Sequence, residues 1–460
     1  MKASPLPYQI ESIREIDRFR GRALVAHDMG LGKTLISLWW WAKHKTASPA
    51  VVVCPANVKF MWEHECLVNL GIRPWVLEGQ TPPRNGRMSK PKPQIVIVNY
   101  DILSHWMKWI ERLNPQCIIV DEVQAIKNMG SIRSKAVRSL AKGRPYVLAL
   151  SGTPLTNRVI ELFPTLQMVK PKVWTSRYSF AHSYCKPKWT PWGWKYDGAT
   201  NLDQLHEQLT KHCMVRYLKK DVLKELPPKT RRVLSVGMEG EDEYKEATDN
   251  FLRWMAKSNP AKLLTAMKAE TLVKLGYLKR LAARLKLRSV VNWSNEWLEA
   301  YPEEKLVIFA WHRKMIAALQ RRINAKSVVI DGSVTGRRRK AFVDQFQNDR
   351  KTRLCIGNIR AAGIGITLTA ASTLAFAELS WVPTDHTQAE DRIHRIGQSE
   401  KVWIWYLIAG GTIEEDLCEV LEEKQKIILA TLDGGSNPDD LDVYSQLVKR
   451  LGLKLKSRGR

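Results

Sequence analysis

Two series of short apolar runs constrain what this chain can fold into. The first series falls at 23–26, 50–54, 94–98, 117–120 and 146–150. The second falls at 306–310, 327–330, 353–356, 374–377 and 402–407. The runs are apolar or β-branched nearly throughout, and amphipathic stretches separate them. That is the signature of strands buried on both faces, stacked as βα units. The expected class is therefore α/β, with parallel sheets flanked by helices and function at the carboxyl ends of the strands. At 460 residues the chain is too long for a single core, so two large domains are expected.

Punctuation along the chain places them. A basic stretch from Met214 to about Arg232, containing Leu226-Pro227-Pro228-Lys229, marks a boundary, because proline disfavours helix in the residue before it. We expect a first lobe over 1–232, a second over 233–433 that starts with basic helices, and a basic tail over 434–460. Residues 172–200 interrupt the first series with Trp174, Trp189, Trp192 and Trp194 among Lys, Pro and Gly. Two readings of this insertion stay open. A small aromatic core closing a loop is preferred to a platform on which bases stack.

The surplus of 73 Lys+Arg over 46 Asp+Glu gives a formal net charge of +27, far beyond what solubility needs. It points to a polyanionic partner, nucleic acid first. Seven scattered cysteines, with no CxxC pair, indicate a reducing compartment and argue against a structural zinc site. No run approaches transmembrane length and no signal-peptide pattern opens the chain. The expected location is intracellular and soluble: cytoplasm or nucleoid, or host cytoplasm if the chain is phage-encoded.

Four motifs carry chemistry. Asp28-Met29-Gly30-Leu31-Gly32-Lys33-Thr34 sits between the first strand and a helical run. A glycine-rich turn there points backbone N–H groups and a helix N-terminus at phosphate oxygens. Lys33 can reach the β/γ-phosphates and the Thr34 hydroxyl can ligate Mg²⁺. The pattern GxxxxGK(S/T) places glycine at 27, where this chain has His27. Asp121-Glu122 ends another strand, offering one carboxylate for Mg²⁺ and one to polarise water. Ser151-Gly152-Thr153-Pro154 ends the next and could bond to Glu122 or its neighbours. Downstream, Arg392 and Arg395 stand three apart on what reads as one helical face. That arrangement suits stabilisation of a transferring phosphoryl group.

Together with LPYQ (6–9), CPANVKFMWEHE (54–65), VNYDIL (98–103), ALSGTPLTNR (149–158), KLVIFAWH (305–312), IDGSVTG (330–336), RAAGIGITLTAAS (360–372) and QAEDRIHRIGQ (388–398), these motifs resemble, in order, the superfamily 2 helicases of the Swi/Snf type. The likeness is greatest to the HepA-related annealing-helicase branch, in a short phage- or bacterial-type version without appended chromatin modules. The resemblance implies two tandem RecA-like lobes with ATP between them, Mg²⁺ as cofactor and DNA as partner. It implies that Gln9 contacts adenine and that Gly30, Gly32, Lys33 and Thr34 form the phosphate loop. Asp121 would hold Mg²⁺ and Glu122 would activate water. Gly365, Arg392 and Arg395 would complete the site. Pro55, Asn57, Asn99, Tyr100, His312, Arg313, Arg360 and Thr367 would track DNA, and residues 262–288, 337–340 and 449–460 are candidate reinforcements. The family's Asp-Glu-x-His ends here in Gln124, an amide that relays a hydrogen bond but does not titrate.

Three functions are compatible with this sequence. One is an ATP-dependent translocase on double-stranded or forked DNA that remodels or re-anneals it. The second is a strand-separating helicase on DNA or RNA, and the third a nucleic-acid-binding scaffold with a decayed motor. The retained Lys33, Asp121, Glu122, Arg392 and Arg395 argue against the third.

Overall fold

The computed structural model describes residues 4–83, 92–191, 193–249, 270–334, 336–362 and 366–434. The chain divides into two compact units, one of residues 1–225 with 426–436, the other centred on 226–425. The expected tail 434–460 lies outside the described residues apart from Gly434, as do Trp192, Lys262, Lys268 and Gly365.

The first unit is built on seven parallel strands: β1 (Arg22–Val25), β2 (Ala50–Cys54), β3 (Trp75–Val76), β4 (Ile95–Asn99), β5 (Cys117–Asp121), β6 (Tyr146–Leu150) and β9 (Met214–Val215). Their order is β3-β4-β2-β5-β6-β1-β9. Strands β2, β4 and β5 are buried along their whole length, as runs without polar alternation require. The flanking helices present apolar faces to the sheet. In helix Leu103–Leu113, residues Leu103, Trp106, Trp109, Ile110 and Leu113 are buried, the helical spacing of one face. Asn114, in the left-handed conformation, ends that helix. Ile428 and Leu432, from the end of helix Ile413–Asp433, join this unit's core.

The Trp-rich insertion separates its tryptophans. Trp174 packs in the core against Phe180, as a loop-closing aromatic core requires. Beyond helix Arg177–Tyr184, an antiparallel hairpin of β7 (Lys188–Thr190) and β8 (Gly193–Lys195) leaves Trp189 and Trp194 exposed.

The second unit holds six parallel strands: β10 (Lys229–Val236), β11 (Leu306–Ala310), β12 (Ser327–Ile330), β13 (Leu354–Asn358), β14 (Thr373–Phe376) and β15 (Val402–Ala409), in the order β10-β15-β14-β11-β13-β12. Strand β10 crosses the boundary expected at 232/233, and it belongs to this sheet by its eight-residue register with β15. Its sequence KTRRVLSV reads as a basic linker because its cations have internal partners. Lys229 and Arg231 donate to the buried carboxylate of Glu390 at 2.6 and 2.7 Å. Arg232 lies over the rings of Trp403 and Trp405.

The basic helices are likewise not simply a surface. Lys286 is fully buried and donates to Glu414 at 2.7 Å. Lys279 is buried with its ammonium 4.6 Å from the Trp311 ring centroid, and burial lowers its pKa to about 8. Arg284 and Arg288 are exposed but paired with Glu243 and Glu239. Within 337–340, Arg339 is buried while Arg338 and Lys340 are exposed. No described helix is long and apolar enough to cross a membrane.

Glu390 ties three elements together, because the Tyr406 hydroxyl of β15 also donates to it, at 2.7 Å. Burial alone would raise its pKa, but the charges and hydrogen bonds of Arg231 and Lys229 outweigh burial and hold it well below the carboxylate range. Glu390→Gln would remove the buried negative charge that Lys229 and Arg231 share and should destabilise the protein by about 3–5 kcal/mol, read as a lowered urea midpoint at unchanged slope. The folded pKa is depressed, so this stabilisation is present above about pH 4 and is lost as pH falls further. The acid limb of stability should therefore be shallower in the variant.

Candidate nucleotide-binding site

Because the first sheet is parallel, the carboxyl ends of its strands share one edge. The neighbours β1, β6 and β5 end there in the 27–34 loop, in Ser151-Gly152-Thr153 and in Asp121-Glu122. Gly30 and Gly32 have φ of 82° and 71°, which glycine adopts without strain, and helix Lys33–Lys43 starts from Gly32. Lys33 curls back so that its Nζ donates to the carbonyls of His27 (2.8 Å) and Asp28 (3.0 Å). Gln9 is buried against the loop. Its Oε1 accepts from Leu6 N–H at 2.8 Å, and a Cβ at Gly32 would lie 2.6 Å from its Nε2.

His27, the residue in place of the motif's first glycine, has a structural role. It is fully buried; burial, then the Lys33 and Arg216 charges, lower its pKa to about 3, so it is neutral. The Tyr217 N–H donates to Nδ1 at 3.0 Å, which places the ring proton on Nε2, 2.8 Å from Ser12 Oγ. Ser12 in turn donates to the Tyr8 carbonyl at 2.6 Å. The histidine thus joins helix Pro7–Arg18, which carries Gln9, to the segment after β9. Arg216 adds a tie, donating to Ala26 O and to Asp433 at 3.1 Å.

Asp121 is buried at the end of β5. Its Oδ2 accepts from Trp62 Nε1 at 2.8 Å and its Oδ1 from the Glu122 N–H at 3.0 Å. Burial, then the Glu122 charge, raise its pKa to about 7, against the opposing effects of Trp62 and Lys33. Such a desolvated carboxylate beside a second one suits a divalent cation, which would relieve both penalties. Glu122 has a φ of 51°, a left-handed backbone uncommon for a residue with a side chain. Gln124 Nε2 donates to Glu122 at 2.6 Å, and Gln124 Oε1 accepts from Ser151 Oγ at 2.7 Å. Ser151 Oγ also accepts from the Thr153 N–H at 2.9 Å. The expected bond between the serine turn and Glu122 therefore runs through the amide that replaces histidine. Gly152 lies against the phosphate loop, where an added Cβ would be 3.3 Å from Lys33 Nζ. Thr34 is half-buried on the first turn of its helix.

The expected DNA-tracking residues divide by exposure. Pro55 and Asn57 follow β2, the first half-buried and the second exposed. Asn99 and Tyr100 are buried, and the Tyr100 hydroxyl donates to the Asp121 carbonyl at 2.6 Å. Tyr100 thereby braces the acidic strand end, and both residues are largely screened from solvent. In the second unit Arg313 and Arg360 are exposed at the ends of β11 and β13, and Arg360 bonds to Asp385 at 3.1 Å. His312 pairs with Glu378, which also accepts from the N–H groups of Trp311 and His312 at 2.9 and 2.8 Å. Burial would raise the Glu378 pKa, but these bonds hold it lowered.

Arg392 and Arg395 are not on a helix face as expected. Helix Pro383–Glu390 ends just before them, and overlapping turns continue through Gln398. The two guanidinium groups nevertheless converge. Arg392 donates to the Ile366 carbonyl at 3.2 Å, and Arg395 to the same carbonyl at 3.4 Å and to Thr367 Oγ1 at 3.0 Å. Thr367, expected at the DNA, is thus an acceptor for Arg395. Trp62 and Glu390 were not evident from sequence; the first lies within a motif but carries no chemical signal until Asp121 is seen beside it.

The raised pKa of Asp121 has a measurable sign. Its folded value lies above its unfolded one, so ionisation in the folded protein removes stability as pH rises from about 4 to about 7. Without nucleotide or metal, Asp121→Asn should unfold a few degrees higher than the parent at about pH 8, with the gain shrinking towards about pH 5. Thermal unfolding across pH checks this. An unchanged difference at both ends would remove the desolvated charge from the account.

Comparison with known proteins agrees with this geometry. The family model described as SNF2-related domain matches residues 13–346, well over half of the chain. The chain is 35% identical over 428 residues to "SWI/SNF-related matrix-associated actin-dependent regulator of chromatin subfamily A-like protein 1" of Xenopus tropicalis, covering 92% of this chain and 44% of that protein. It is 32% identical over 461 residues to human "DNA annealing helicase and endonuclease ZRANB3", covering 94% and 41%. The chain thus spans under half the length of these relatives. The solved "Sulfolobus solfataricus SWI2/SNF2 ATPase core in complex with dsDNA" aligns over 98% of this chain and 97% of its own, at 23% identity and a TM-score of 0.45. The family-model match over residues 13–346 shows that the chain belongs to the SNF2-related domain family.

Proposed function

We propose that this chain is an ATP-driven motor that moves along double-stranded or forked DNA and is able to re-anneal it. The observation that carries the reading is the alignment of Lys33, Ser151 and Glu122 at the ends of three neighbouring parallel strands, joined through Gln124. Lys33 would exchange its two loop carbonyls for phosphate oxygens of ATP, the substrate. The N–H groups around Gly30 and Gly32 would hold the same phosphates, and Gln9 would meet the adenine. Asp121 and Thr34 would hold Mg²⁺, which when bound neutralises charge on the β/γ-oxygens. Glu122 would orient the attacking water and take its proton. Gln124 would pass any shift of Glu122 to Ser151 and Thr153, giving the strand end after β6 a report of nucleotide state.

Arg392 and Arg395 belong to the second unit and would stabilise the charge that develops on the transferred group. Gly365, outside the described residues, is assigned beside them by resemblance alone. The partner reading rests on the net charge of +27 and on two relatives named for chromatin regulation and DNA annealing. The grip would fall on phosphates, without sequence preference and weakening with salt. Asn57, Arg313 and Arg360 are its exposed members. Pro55, half-buried, would line the same edge, and His312, through Glu378, would position Arg313.

ATP hydrolysis measured with blunt duplex, forked duplex, single strands and RNA, beside a Lys33→Ala control, tests the proposal. Duplex or forked DNA should stimulate turnover at least tenfold, and Lys33→Ala should abolish it. Stimulation by single strands alone, with strand displacement, would make it a helicase. Absence of stimulation by any nucleic acid would end the motor reading.

A further inference from the structure

The hairpin of β7 and β8 is not absorbed by the nucleotide site, and its aromatic rings are in an unusual place. Trp189 and Trp194 face each other as a cross-strand pair, with centroids 5.2 Å apart and planes at 75°. Trp194 stands 5.2 Å from the His182 ring, and His182 lies 3.8 Å from Tyr178 at 31°. Four rings therefore form a continuous ridge. Trp189 is 68% exposed, Tyr178 60% and Trp194 44%. The insertion's need for a core is already met one layer below, where Trp174, Phe180 and Tyr184 are buried. A two-stranded hairpin is marginal by itself, and a cross-strand tryptophan pair helps to brace it. Bracing does not require both indoles, and Tyr178 beyond them, to present large areas to water.

The charge around the ridge says what covers it. Residues 172–200 contain five Lys and Arg and a single carboxylate, Asp197, which is paired with Arg158. Lys186, Lys188 and Lys195 are exposed and take part in none of the ion pairs among the described residues, and Lys188 and Lys195 pair across the strands on the face opposite the indoles. The exposed large apolar groups of this stretch are aromatic apart from Val173. Exposed flat rings on one face of a hairpin whose charged side chains are cationic match a strand whose bases are unpaired. The rings take the base faces and the lysines the phosphates. A duplex offers no such faces, because its bases are already stacked on one another.

We infer that the Trp189–Trp194 hairpin is a stacking platform for unpaired DNA bases, so that the first unit recognises the single-stranded part of a fork in addition to duplex. The choice of DNA as the strand rests on the motor reading above. The geometry of the platform does not depend on it.

The test uses the whole chain without nucleotide and fluorescein-labelled DNA followed by anisotropy. One probe is a blunt duplex and the other is the same duplex with an unpaired arm. Trp189→Ala and Trp194→Ala should each weaken binding of the armed duplex about tenfold and leave the blunt duplex unchanged, and Trp189→Tyr should retain most of the affinity. A 5-iodouracil placed in the unpaired arm should crosslink the parent protein at Trp189, Trp194 or Tyr178, located by mass spectrometry. Unchanged affinity for the armed duplex, an equal fall on both probes, or crosslinks confined to other segments would overturn the inference and assign the ridge to hairpin bracing or a protein partner. Stimulation of ATP hydrolysis by the blunt duplex is read separately. Its absence would refute the motor, while the binding comparison would still decide the platform.

Discussion

The parallel register of β1, β6 and β5 is the constraint on which the rest depends. Three segments far apart in sequence, ending near residues 26, 121 and 151, meet only because these strands lie side by side and run the same way. Each strand end then contributes a different chemical device: a turn of inward N–H groups, a pair of carboxylates, and a small hydroxyl. Gln124 and Gly152 close the spaces between them. The amide bridges Glu122 and Ser151, and the missing side chain of Gly152 makes room for Met29 and the Lys33 amine.

Buried charge is handled in two ways. Glu390 and Glu414 are surrounded by cations and hydroxyl or N–H donors, so their burial holds β10, β15 and the two basic helices in place. Asp121 is treated differently. It has two hydrogen bonds but a like charge beside it, and burial pushes its pKa up. A satisfied buried ion specifies structure, whereas an undercompensated one marks a place where a missing positive charge belongs. Arg392 and Arg395 represent a third case, cations whose donors are occupied by the Ile366 carbonyl and the Thr367 hydroxyl.

Much of this was legible in the sequence because the core strands are nearly pure apolar runs. The runs at 50–54, 146–150, 306–310 and 327–330 are strands with those same limits, and the other core runs lie within two residues of theirs. The glycine-rich loop and the acidic pair stand out in the sequence because each follows an apolar run directly, and the structure sets both at ends of neighbouring parallel strands. What escaped was whatever depended on a partner distant in sequence. Strand β10 reads as a basic linker until Glu390 is beside it. His27 reads as a defect in a motif until Ser12 and Tyr217 complete its bonds. Tyr100 belongs to a tracking motif by pattern, yet it is buried with its hydroxyl on the Asp121 carbonyl. The arginine run follows helical spacing, but the helix stops at Glu390. The Trp-rich insertion reads either as a core or as a platform; Trp174 is buried in the core, whereas Trp189 and Trp194 are exposed on the hairpin.

The central claim is that nucleotide is held by the first unit and turned over only with the arginines of the second. Comparing nucleotide affinity with turnover in Arg395→Ala tests it most directly, using a fluorescent ATP analogue for binding and phosphate release for hydrolysis on duplex DNA. The account predicts affinity within a few-fold of the parent and turnover lower by roughly a thousandfold or more. Turnover equal to that of the parent, or a loss of affinity large enough to explain the loss of turnover, would contradict it.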